Sequence, residues 1–154
     1  MKSDYFPIEG KRNTSAKIPT RQKREKALLV YPLGDFDEDP ENLIDYRGYL
    51  AMAKAPAGTP SHRRGLVIIE FFELNRETLQ LRRAEIINTM DLAFRLAMIG
   101  SESDRNLGLQ TIDITCSERA AHSACTRAFR RLYRTNPDEA KKMADAARKR
   151  LHPT

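Results

Sequence analysis

At 154 residues, with 40% hydrophobic and 31% charged side chains, the chain has room for one modest core and reads as a soluble globular protein. No apolar run approaches the roughly 20 residues of a membrane span. The opening MKSDYFPIEG lacks an apolar signal core, so a cytoplasmic protein with no membrane partner is expected. The net charge of +6 is uneven: residues 1–26 carry +5, residues 27–73 carry −4, residues 74–114 carry −1 and residues 115–154 carry +6. Basic clusters of this kind attract phosphates, although a charge run alone is as readily a solvated face.

Residues 1–26 read as a basic extended arm, punctuated by Pro7, Gly10 and Pro19. Its cations Lys11, Arg12, Lys17, Arg21, Lys23 and Arg24 are the candidate nucleic-acid-binding residues. Residues 27–154 are expected to form a single, mostly helical domain. Leu28 to Val30 is a strand or the end of a helix begun near Thr20. Asp35, Asp37, Glu38, Asp39 and Glu41 are dense, but Pro40 stands where a calcium loop needs glycine and Tyr46 where it needs glutamate. A solvated turn is the better reading of that segment, and no metal site is expected.

Leu43 to Ala53 reads as a hairpin turning at Arg47-Gly48. Thr59 is placed to cap a helix with Pro60 at its first position. Leu66 to Phe72 suits a strand by composition and a short buried helix by its capped start; the helix is preferred.

The longest helical pattern spans residues 76–99, and the other elements are expected to pack around it. Leu79, Ile86, Met90, Ala93, Phe94 and Ala97 share one face. Asn75 suits the N-cap, and Gly100 a left-handed stop. Arg82, Arg83 and Glu85 look outward. Leu92, Leu96 and Ile99 make a second apolar stripe that predicts burial nearly all round at the C-terminal half, with Phe94 facing the short helix before Asn75. Ser101 to Arg105 then reads as a polar connection, and Leu107 to Ile114 as a short helix.

Thr115-Cys-Ser-Glu118 has capping-box spacing and predicts a helix to about Arg134, with Ala121, Ala124, Ala128 and Leu132 inside and Arg127, Arg130, Arg131 and Arg134 on a basic side. Asn136-Pro137 starts a last helix. The fold class expected is therefore mainly α with a small β-hairpin (α+β).

Catalytic chemistry is hard to assemble from these residues. The three histidines, His62, His122 and His152, stand far apart in different contexts. Cys116 and Cys125, nine residues apart on one expected helix, are too distant to bond and read as buried thiols. Neither zinc-ligand spacing, a glycine-rich phosphate loop nor a nucleophile elbow is present.

Several short motifs occur in an order that resembles one family. They are Lys2-x-x-x-Phe6-Pro7, Pro32 to Asp39-Pro40-Glu41, Leu43 to Tyr46-Arg47-Gly48, Arg64-Gly65 with Ile69-Glu70, and Leu74-Asn75-Arg76 with Leu79 and Arg82-Arg83. Over roughly residues 2–95 the chain resembles the C-terminal portion of the HNH endonucleases that accompany ATPases in bacterial antiphage systems, Septu-type and some retron systems among them. In that family the catalytic histidine and the metal lie on a hairpin and helix before the lysine motif. The helix often ends in Cys-Asn, which here would fall before Met1. The resemblance therefore implies a C-terminal part or separately encoded subunit whose nuclease core is absent from this chain. A divalent metal is expected only with that core.

The leading expectation is thus a non-catalytic part of an HNH-type defence nuclease. It would give structural support, contact nucleic-acid phosphates or dock an ATPase partner. The alternative is a protein–protein interaction module without nucleic-acid binding. A small enzyme using groups such as His62 and Glu70 is a third and weaker possibility.

Overall fold

The computed structural model describes residues 7–11, 25–30 and 37–153. Within them the chain is mainly helical with one antiparallel hairpin. The elements run α1 (Pro40–Leu43), β1 (Ile44–Arg47), β2 (Leu50–Ala53), α2 (Pro60–Phe71), α3 (Glu77–Ile99), α4 (Glu102–Cys116), α5 (Ser123–Thr135) and α6 (Pro137–Leu151). They fall into two compact units, Met1–Ile44 with Met52–Leu74 and Asp45–Ala51 with Asn75–Thr154.

In the first unit the helices begin where the capping chemistry places them. The Asp39 carboxylate accepts from the Glu41 amide, and Pro40 fills the first position of α1. The Thr59 hydroxyl accepts from the His62 amide at the head of α2. Among the described residues the core of this unit is Leu29, Leu43 and Ile68, with Val30, Ile44, Val67 and Leu74 against them.

Charge reinforces it. Arg64 grips Asp37 through both terminal nitrogens at 2.6 and 3.0 Å, reaches Glu38 at 3.0 Å and donates to the Leu29 carbonyl at 3.4 Å. The hydrogen bond to Asp37 raises the Arg64 pKa against the opposing effect of burial. Asp37 and Glu38 are therefore half of an ion-pair clamp rather than part of a solvated turn. Leu28 to Val30 is neither strand nor helix. It is a bend beside one isolated bridge, Ile8 with Ala27, and Leu29 serves as a core plug.

The second unit is built on α3. Ala84, Ile87, Met90 and Ala93 are buried against Ile112 and Cys116 of α4, Cys125, Phe129 and Tyr133 of α5, and Ala140, Ala144 and Ala147 of α6. The alanine row of α6 follows the helical repeat and lets that helix lie close. Gly108 does the same for α4. A Cβ there would come 2.5 Å from the Ala93 carbonyl and 2.8 Å from the Ala97 nitrogen.

Several local expectations are corrected. Asn75 does not cap α3: its amide accepts from the Ala51 nitrogen at 2.8 Å and donates to the Ala51 carbonyl at 2.9 Å, leaving Arg76 at the cap position with no side-chain acceptor for the helix amides. Gly100 is extended (φ −77°) rather than left-handed; any side chain there would meet Asp104 and the Leu96 carbonyl. Phe94 faces α5, not the helix before Asn75. It stacks on Tyr133 with centroids 4.0 Å apart and planes 6° apart. Of the second stripe on α3, Leu96 is partly buried, but Leu92 and Ile99 are not. Leu92 is 58% exposed and Ile99 85%.

The polar stretch after Gly100 turns out to be a helix start. Ser101 and Asp104 make a reciprocal capping box, so α4 opens at Glu102 and runs on through Thr115. The box expected at Thr115–Glu118 does not form, since the Thr115 hydroxyl bonds back to the Thr111 carbonyl inside α4. Cys116 and Cys125 consequently lie on two helices, both buried and both free. Ala121 is exposed ahead of α5, whereas Ala128 is buried and Leu132 packs on the core as expected, joined by Cys125, Phe129 and Tyr133. Asn136 caps α6 as expected.

Candidate nucleic-acid interface

Of the six arm cations, Lys11 is exposed, and Arg12, Lys17, Arg21, Lys23 and Arg24 lie outside the described residues. The basic surface that can be traced is on α5 and α6. Arg127, Arg130, Arg131 and Arg134 share one side of α5 through steps of three and four. Much of that side is already engaged. Arg130 meets Asp113 at 3.2 Å, Arg131 meets Asp45 at 2.7 Å, and Arg127 donates to the Cys116 carbonyl at 3.4 Å.

Arg134, Lys149 and Arg119 are exposed and have no partner among the described residues. Lys141 and Lys142 reach acids only at 3.9 and 3.7 Å from exposed positions, which leaves them free to rearrange. Arg148 is committed elsewhere. It pairs at 2.9 Å with buried Asp91, which Arg95 also holds at 2.9 Å.

One cation was misread from the sequence. Arg83, expected on the surface, is 2% exposed. It donates to the Tyr49 carbonyl at 3.2 Å, and its guanidinium carbon lies 5.0 Å from the centre of the Tyr46 ring. The signal was available: Arg83 stands four residues before Ile87 and seven before Met90, on the buried side of α3. From the other side of the hairpin turn, the Cys125 thiol points at the neighbouring Gly48 carbonyl, 3.5 Å away. Burial pushes that thiol up to about 12, against a smaller pull from Arg83, so it stays a neutral, inert group.

His122 is not inside a helix. It occupies the cap position of α5 in the left-handed region (φ 58°) and offers no side-chain cap bond. Burial lowers its pKa, and Arg83 and then Arg82 lower it further. His62 sits in the first turn of α2 and His152 just beyond α6. Among the described residues no three His, Cys, Asp or Glu side chains gather as a metal site. Nor is any described helix long and apolar enough to cross a membrane.

Neither family models, curated proteins nor solved structures give a match to this chain.

Proposed function

We propose that the chain is a non-catalytic part or subunit of a nucleic-acid-processing assembly, contacting phosphates from α5 and α6. The observation that supports this is the +6 charge of residues 115–154, with Arg119, Arg134 and Lys149 exposed and unpaired among the described residues. In the family that the sequence motifs resemble, the assembly is a cytoplasmic HNH-type defence nuclease with an ATPase partner. The catalytic histidine and metal belong to its core. The arm cations Lys11, Arg12, Lys17, Arg21, Lys23 and Arg24 would add further phosphate contacts.

Binding of this kind is sequence-blind and salt-sensitive, with a log–log slope of about −0.9 per phosphate neutralised on duplex. Fluorescence anisotropy on two unrelated duplexes over a salt series tests it. Both should bind equally. The pair Arg134→Ala and Lys149→Ala should make the slope shallower by roughly two units. Absence of binding at low salt rejects the proposal.

A second reading, an interaction module without nucleic acid, is favoured by the outward apolar side chains of α3 and α4. Leu92, Ile99, Leu107 and Ile114 are 55–85% exposed. Self-association is its simplest form, and sedimentation velocity over a concentration series measures it.

A further inference from the structure

The side of the α3–α4 pair that turns away from α5 carries a seam pattern. On α3, Thr89, Leu92, Leu96 and Ile99 follow at steps of three, four and three; on α4, Ser103, Leu107, Gln110 and Ile114 follow at four, three and four. This alternation keeps one stripe of a helix against a second helix, as in coiled coils and four-helix bundles. Both stripes look the same way. α3 meets α4 at Ala93 and Ala97, which lie against Gly108, and meets α5 through Phe94. By the helical repeat, Leu92 and Ile99 turn away from Phe94. α4 meets α5 through the Asp113 carboxylate and the Cys116 carbonyl, and Leu107 and Ile114 turn away from these. Leu92, Ile99, Leu107 and Ile114 are all more than half exposed.

We propose that this face pairs with the same face of a second copy, closing a symmetric four-helix bundle of two α3 and two α4 helices. Three observations select a second copy as the occupant. The seam spacing calls for two adjacent helices of matching spacing, and a second copy offers both; a two-fold axis then sets one patch against itself. The seam positions hold no charge although 31% of the chain is charged, and the +6 of residues 115–154 lies beyond them, largely on α5 and α6. Two like-charged copies can therefore meet where neither presents charge, with α5 on the far side of each helix pair. The size also fits. With α4 at 15 residues, the face is about 22 Å long and about 20 Å wide, so a pair buries on the order of 1,000 Å², the lower bound of a specific interface. This pairing rests on the same outward side chains as the second reading above, and it holds with or without nucleic acid.

The test is sedimentation velocity of the full chain over a concentration series, with circular dichroism to confirm that each variant is folded. The parent should pass from monomer to dimer between about 1 and 300 µM, as suits an interface of this size. Leu92→Asp, at an exposed position that leaves the core alone, sets two like charges in the seam of each dimer and should weaken dimerisation roughly hundredfold. Ile114→Asp should do the same from α4. Leu109 is also about half exposed but lies nearly opposite Leu107 on α4, so Leu109→Asp should stay within about twofold of the parent. Raising salt should tighten the dimer by screening its net charge, whereas duplex binding weakens. A parent that stays monomeric throughout overturns the pairing and leaves the interaction reading to another partner. Dimerisation unmoved by Leu92→Asp and Ile114→Asp, weakened equally by Leu109→Asp, or weakened by salt overturns it as well. Duplex binding is judged separately, by its own salt series.

Discussion

The two units hold themselves together by different means. Among the described residues the first gathers three buried apolar side chains, Leu29, Leu43 and Ile68, and ties a nearby acidic segment to α2 through Arg64. The second gathers twelve into one cluster and interleaves them across four helices. Burial of apolar surface is the dominant favourable term in folding, at roughly 25 cal/mol per Å². The second unit therefore rests on packing. The first depends on a polar clamp whose geometry must be right for it to contribute.

That difference can be broken deliberately. The largest effect is expected from Phe129→Ala, which empties a site 3% exposed beside the stacked pair of Phe94 and Tyr133. It should cost about 3–5 kcal/mol by chemical denaturation. Phe94→Ala should cost less, because Phe94 is partly exposed. A harmless Phe129→Ala would mean that the second unit is not packing-dominated.

Next is Arg64→Ala, which leaves Asp37 without its main partner. Its side chain and that of Asp37 retain 18% and 20% exposure, so the expected cost is discounted for solvent to about 1–3 kcal/mol. Hydrogen exchange should show α2 losing protection while α3 to α6 keep theirs. Equal loss in both units would erase the distinction between them.

Asn75→Ala removes two hydrogen bonds to Ala51, whose backbone is largely buried, and should cost about 1–3 kcal/mol. A simple cap would cost about 1 kcal/mol, the value expected for Thr59→Ala at the head of α2.

The smallest effect concerns pH. His122 has a folded pKa below its ordinary 6.5, chiefly through burial. The unfolded chain thus binds the proton more readily. The contribution of neutral His122 is complete above the unfolded value and declines as pH falls through about 6.5. His122→Gln should flatten stability between about pH 7 and pH 5; an unchanged profile would show that His122 is not the titrating group.

Helix existence was legible because periodicity is a local signal. The 76–99 pattern, the Thr59-Pro60 and Asn136-Pro137 starts and the hairpin all follow from spacing that the sequence displays. What escaped depended on partners distant in sequence. Asn75 looks like a cap until β2 offers it Ala51. Arg83 looks like surface until Tyr46 and Tyr49 cover it. Leu92 and Ile99 look like core, yet they are 58% and 85% exposed. The Thr115–Glu118 spacing looks like the start of a new helix until the preceding helix is seen to run through it. The Ser101–Asp104 box opens α4 instead, in a stretch that reads as a polar connection.

The central claim is that this chain meets nucleic acid through the cations of α5 and α6. The most direct measurement is one titration of the isotope-labelled chain with a short duplex, mapping perturbed amides at low salt. The account predicts shifts around Arg134 and Lys149, and around Arg119 in the turn before α5, that vanish as salt rises. Perturbation confined to Leu92, Ile99, Leu107 and Ile114, or none at all, would contradict it.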